Sequence, residues 1–95
     1  MKPPAARILP RRRRQPPLRR IHDAVYEQDP DARKSLEYHR SRPTDEIVES
    51  LRPSPGNKEQ LRVKRDGRIF QGNTRIKVLE ERGYPVNDLP RDVIP

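Results

Sequence analysis

Gly72, Asn73, Thr74 and Arg75 fall where a short strand pattern gives way to a helix pattern. A helix start presents backbone N–H groups with no intrahelical partner and a partial positive charge, which suits an anion such as phosphate. An arginine in that first turn adds a two-pronged donor for phosphate oxygens. The helix start therefore suggests a phosphate contact at Gly72, Asn73, Thr74 and Arg75, with Arg75 as the anion clamp. A corner that binds nothing would use the same residues differently. Gly72 would serve the turn, Asn73 or Thr74 would cap the helix, and Arg75 would be solvated.

A second chemistry lies at the other end of the chain. Lys2, Arg7, Arg11, Arg12, Arg13, Arg14, Arg19 and Arg20 occur within residues 1–20, with no aspartate or glutamate among them. The formal net charge of +8 sits entirely there, because the remaining 14 basic residues are balanced by 14 acidic ones. Arg11, Arg12, Arg13, Arg14, Arg19 and Arg20 are the candidate nucleic-acid contacts. They would neutralise phosphates in a salt-dependent manner indifferent to base sequence. No aromatic residue is interleaved with them, so base stacking is not expected of the arm itself. A merely solubilising terminus is the competing reading.

Other catalytic chemistries find little support. The chain has no cysteine, which removes disulfides, cysteine-ligated zinc and thiol catalysis. His22 and His39 stand apart from any companion at metal-ligand spacing. Asp45, Glu46 and Glu49 fit the acidic start and solvated face of a helix better than a catalytic carboxylate set. No nucleophile–base–acid constellation stands out. No catalytic residue and no metal ligand is assigned.

The elements that must position these residues are few. A chain of 95 residues, 29% hydrophobic and with one Phe, supports one small domain with a thin core. No apolar run is long enough for a membrane span or a secretory signal, and a cytoplasmic protein is expected. Three parts are distinguished. Residues 1–20, rich in arginine and proline, read as a disordered arm. Residues 21–42 read as a short helical segment. Ile21, Ala24 and Val25 share a helical face, and Asp29-Pro30-Asp31 opens a second helix with Asp29 as its N-cap. Leu36 and Tyr38 are the sizeable apolar residues that follow.

Residues 43–95 are the best specified. Thr44 reads as the N-cap of a helix with Ile47, Val48 and Leu51 inward, stopped by Pro53, Pro55 and Gly56. Leu61 and Val63 alternate with Arg62 and Lys64 as a half-buried strand. Asp66-Gly67 signals a two-residue hairpin turn. In that register Val63 faces Phe70 on one side of the hairpin, and Ile69 faces Lys64 on the other. Thr74 to Arg82 forms the next helix, with Ile76 and Leu79 inward and Gly83 just past its end. Tyr84-Pro85-Val86 and Val93-Ile94 read as short extended pieces. The order argues a small α+β unit.

That unit resembles the N-terminal nucleotide-binding module of the ParB/sulfiredoxin superfamily. The matching residues are the Ile47–Leu51 helix, the Leu61–Val63 strand, Asp66-Gly67, the Arg68–Gln71 strand, the Gly72-Asn73-Thr74-Arg75 turn and the helix that ends at Gly83. The resemblance covers roughly residues 43 to 90. It implies a fold of helix, β-hairpin, Gly-x-x-Arg turn and helix. It also implies that Gly72 and Arg75 meet the phosphates of a nucleoside triphosphate, CTP or ATP, with Mg²⁺ as companion ion. Two departures narrow it. Asn73-Thr74 stands where ParB proteins have Glu-Arg, so one phosphate-binding arginine is missing. Asn73 also stands where sulfiredoxin has its reactive cysteine, which excludes sulfinic acid reduction.

The resulting expectation is a non-catalytic, ParB-like binding module. Nucleic acid or a protein partner is its target, no membrane is involved, and a nucleotide or phosphate contact is expected at the Gly-x-x-Arg turn. One alternative is a nucleotide-dependent phosphotransferase or nuclease of the same superfamily. Another is a small antitoxin-like regulatory protein whose arm and helices order on binding.

Overall fold

The computed structural model describes residues 15–21 and 23–95. Arg11, Arg12, Arg13, Arg14 and His22 lie outside the described residues. The chain first forms three helices, α1 (Val25–Gln28), α2 (Pro30–Arg40) and α3 (Thr44–Leu51). The strands β1 (Arg62–Val63) and β2 (Ile69–Gln71) follow, then α4 (Asn73–Glu81), a 3₁₀ turn (Val86–Asp88) and β3 (Asp92–Val93). The sheet order is β2-β1-β3, with β1 antiparallel to β2 and parallel to β3. The protein is a small α+β domain.

Local chemistry accounts for most boundaries. Asp29 caps α2 by accepting the Asp31 N–H at 3.0 Å, and Pro30 takes the first helical position, where no N–H is needed. At the end of α4 the Tyr84 N–H reaches the Leu79 carbonyl at 3.0 Å and the Gly83 N–H reaches Glu80 at 3.0 Å, a paired closure that stops the helix at glycine. The core is almost wholly aliphatic. Ile47, Leu61, Ile69, Ile76 and Leu79 are fully shielded, with Leu51, Val63 and Val78 close behind. Leu36 of α2 joins this core, whereas Tyr38 is 60% exposed.

Several expectations are corrected. Ile21 precedes α1 rather than belonging to it. Val86 opens the 3₁₀ turn rather than an extended piece, and its N–H already bonds Tyr84 locally. Pro43, not Thr44, holds the N-cap position of α3, and the Thr44 hydroxyl instead accepts from Arg82 Nη1 at 2.9 Å.

The hairpin is shifted by one residue. Val63 pairs with Ile69, and Arg62 pairs with Gln71 across a bulge. The loop is Arg65-Asp66-Gly67, closed by Lys64 N–H to Arg68 O at 2.8 Å and by Gly67 N–H to Lys64 O at 3.0 Å. A three-residue loop of this kind ends in a left-handed residue, and Gly67 has φ +92°. Asp66 supports it by accepting the Arg68 N–H at 3.0 Å, a bond that also lowers its carboxyl pKa from the ordinary range. Because side chains alternate along a strand, this shift decides which one is buried. Ile69 enters the core with no exposure, and Phe70 is left 60% exposed.

The expected arm also ends earlier than residue 20. Residues 15–20 run along the domain instead of leaving it. Arg19 donates to Gly67 O at 2.9 Å and accepts from Ile69 N–H at 2.9 Å, forming a parallel bridge on the edge of β2. Leu18 is 8% exposed, its N–H bonds Asn87 Oδ1 at 2.8 Å, and Arg91 holds the Pro16 carbonyl at 2.7 Å. Pro16 and Pro17 do favour non-helical backbone, but an extended backbone is what a sheet edge accepts, and Leu18 adds buried area.

Gly67 joins both features, since a Cβ there would overlap the Pro17 carbonyl oxygen. Gly67→Ala is expected to lower stability by about 1–3 kcal/mol, the range for a strained left-handed residue. Urea denaturation measures the loss. Limited proteolysis should show faster cleavage within residues 15–20, and an unchanged urea midpoint would contradict this role for Gly67.

Candidate functional site

The Gly72–Arg75 corner lies at the junction of β2 and α4, and each of its four residues is engaged inside the fold. Gly72 is the N-cap of α4 at φ +116°, and no side chain caps the first turn. A Cβ on Gly72 would stand 3.1 Å from Leu51 Cδ2 and 3.2 Å from Leu61 Cδ1. Its close approach is thus to core leucines. Asn73 donates through Nδ2 to Ile69 O at 3.0 Å and accepts the Ile21 N–H through Oδ1 at 2.9 Å. The Thr74 hydroxyl shares a hydrogen bond of 2.6 Å with Tyr26 Oη.

Arg75 turns away from the helix start. Its side chain is 9% exposed, and Nη1 donates to Ser50 Oγ at 3.1 Å and Ser50 O at 3.3 Å, with Glu59 Oε1 at 3.9 Å. Ser50 lies in the last turn of α3, where helix carbonyls carry partial negative charge. Burial lowers the Arg75 pKa and Arg42 adds to that, while Glu59 opposes it. An arginine keeps its proton in such a place. The expected anion clamp is therefore a bolt between α4 and α3.

The basic residues expected to meet nucleic acid divide. The side chain of Arg19 is 61% exposed, with Asp66 Oδ2 at 4.0 Å. Arg20 is held by two carboxylates, Glu80 at 2.6 Å and Asp23. Burial works against the charge on Arg20, but Glu80 and Asp23 outweigh it and raise the pKa. Arg20 thus fixes residues 15–21 to α4 and is not a free cation. Nothing in the local pattern marked these pairings, because partners such as Tyr26 and Thr74 are 48 residues apart in sequence.

Other polar groups converge less. Among the described residues, no three His, Asp or Glu side chains are placed to hold a metal ion. No helix among them is long and apolar enough to cross a membrane. An open hollow of about 540 Å³ lies against α3, lined by Thr44, Asp45, Val48, Glu49, Arg52 and Tyr84. Its two carboxylates do not favour an anion. Comparisons of the chain with protein-family models, with curated proteins and with solved structures found no match.

Arg75→Ala is expected to destabilise the domain by about 1.5–3 kcal/mol, the range for a hydrogen bond to a charged group. Urea melts of wild type and variant measure it, and equal midpoints would remove the bolt from the account.

His39 gives a pH signature. Burial first, then the charges of Arg42 and Arg75, lower its pKa below the ordinary 6.5, against a weaker pull from Glu59. The unfolded chain then takes up this proton at a higher pH than the folded one. The contribution is complete above a pH of about 6.5 and is lost as pH falls through the lowered folded value. The Tm of wild type should fall between pH 7.5 and about 5, and the fall should be smaller in His39→Gln. Parallel curves for the two proteins would contradict the assignment.

Proposed function

We propose that this chain is a non-catalytic nucleic-acid-binding module, in which a small α+β domain carries and anchors an arginine-rich N-terminal segment. One observation carries the reading: the +8 charge is confined to residues 1–20, and the rest of the chain is formally neutral. Within the domain, carboxylates occupy much of the basic complement. Arg40 meets Glu81 at 2.7 Å, Arg42 meets Glu46 at 3.0 Å, and Arg62 meets Asp92 at 3.3 Å. Arg11–Arg14 have no acidic neighbour in sequence to do the same. Gln15 follows them directly, and the backbone from Pro16 onward is fastened to the domain.

The succession of helix, hairpin, Gly-x-x-Arg corner and helix supports placing the domain with ParB-like modules. We read it as a binding member because the side chains of Asn73, Thr74 and Arg75 already have partners within the fold. A nucleotide contact there would require Arg75 to leave Ser50.

Binding of a fluorescent 20-bp duplex tests the function. Four phosphate contacts predict a log–log salt slope of about −3.6, so affinity should fall by roughly 10²-fold between 50 and 200 mM salt. Replacing Arg11–Arg14 with glutamine should make that slope much shallower. Equal affinity and slope for the two proteins would overturn the proposal.

A further inference from the structure

The outer face of the sheet has a composition that the fold does not require. Val63 and Ile69 point to the core, so Arg62, Lys64 and Arg68 alternate to the opposite side. The bulge sets both Phe70 and Gln71 against Arg62 on that side. Phe70, the only phenylalanine of the chain, is 60% exposed there. No arginine or lysine of the described residues stacks on its ring, although such contacts occur at Tyr38 and Tyr26. In a chain this poor in large apolar residues, an aromatic ring on the solvent side contributes little to the core.

Charged residues neighbour Phe70 along the hairpin. Arg62 is paired with Asp92, and Arg68 with Asp66. Lys58, Lys64 and Arg65 enter no ion pair among the described residues. Lys64 and Arg65 lie at the hairpin end of the face. Lys58 lies at the other, where its carbonyl accepts from Gln71 Nε2 at 2.9 Å. Cations with no ion pair among the described residues thus occur toward both ends of the hairpin that carries Phe70. Pro17 packs at the hairpin turn beside Gly67.

We infer that this face binds single-stranded nucleic acid, with a base stacked on Phe70 and the flanking phosphates met by Lys64, Arg65 and Lys58. The inference rests on the nucleic-acid reading above and deepens it, since Arg11–Arg14 alone would not distinguish a strand from a duplex. Charge complementarity selects a polyanion, and the free ring selects one whose bases are unpaired. Paired bases in a duplex do not offer their faces to a side chain. Gln71 does not compete for the ligand, because its amide is held by the carbonyls of Lys58 and Gln60 at 2.9 and 2.7 Å.

The experiment is fluorescence anisotropy of the full chain with a 12-nucleotide oligo-dT, a 12-nucleotide oligo-U and a 20-bp duplex. Wild type, Phe70→Ala, Phe70→Trp and the variant with Arg11–Arg14 replaced by glutamine are compared, with circular dichroism as the check on folding. Phe70→Ala should weaken strand binding by about five- to 150-fold, the range of base–aromatic stacking. Its salt slope should be unchanged, because no phosphate contact is lost. Phe70→Trp should restore or exceed wild-type affinity, and neither substitution should alter duplex binding. The dT and U arms tell whether DNA or RNA is preferred, and tighter binding of either strand supports the proposal. Equal strand affinity of Phe70→Ala and wild type would overturn it. If binding to strand and duplex then still depends on Arg11–Arg14, only this inference falls. No binding to any of the three ligands at 50 mM salt would remove the general nucleic-acid reading as well.

Discussion

One buried guanidinium governs how closely the helices of this domain approach each other. A chain with 29% hydrophobic residues cannot fill a wide interior, so its elements must come close together. Gly72 permits this by leaving no Cβ between α4 and the side chains of Leu51 and Leu61. Arg75 then crosses to the end of α3, where Ser50 supplies a hydroxyl and a carbonyl. A charge shielded to this degree is tolerable only with partners, and the end of α3 supplies them. The same residues that mark the turn in sequence therefore serve cohesion first.

Periodicity and capping carry much of the architecture. Ile47 and Leu51, then Ile76 and Leu79, are spaced for helical faces and are buried as such. Asp29-Pro30-Asp31 marks the start of α2 by chemistry confined to three residues. What local pattern misses is decided by distance in sequence. Asp-Gly signals a hairpin, but the choice between a two- and a three-residue loop depends on whether Ile69 or Phe70 fills the core. That choice is made by Leu61, Ile76 and their neighbours, not by the turn. The docking of residues 15–20 depends likewise on Asn87 and Arg91, which follow them by about 70 positions. Their charge and proline content made those residues look like a free arm. The corner at Gly72–Arg75 was legible as a corner. Its inward engagement was not, because Ser50, Tyr26 and Ile21 carry no local sign that they face it.

Division of labour follows from these contacts. The polar side chains of the corner hold α1, the segment before it and α3 to one point. The exposed chemistry of the described residues lies elsewhere, on the outer side of β1 and β2. In the proposed reading, cohesion and recognition use different residues. Changes at Phe70 or Lys64 can then alter binding without loosening the core, whereas changes at Asn73 or Arg75 act on the fold.

The bridge between Arg19 and Arg68 has a consequence for association. A sheet edge with free N–H and C=O groups is a template on which another strand can add. Arg19 occupies hydrogen-bonding groups on the open side of β2, at Gly67 O and the Ile69 N–H. At the opposite edge, β3 spans only Asp92–Val93, too short a template for extended pairing. Growth of the sheet from the β2 side would first require the chain to peel off its own N-terminal segment, exposing Leu18 and breaking the Pro16–Arg91 and Leu18–Asn87 bonds together.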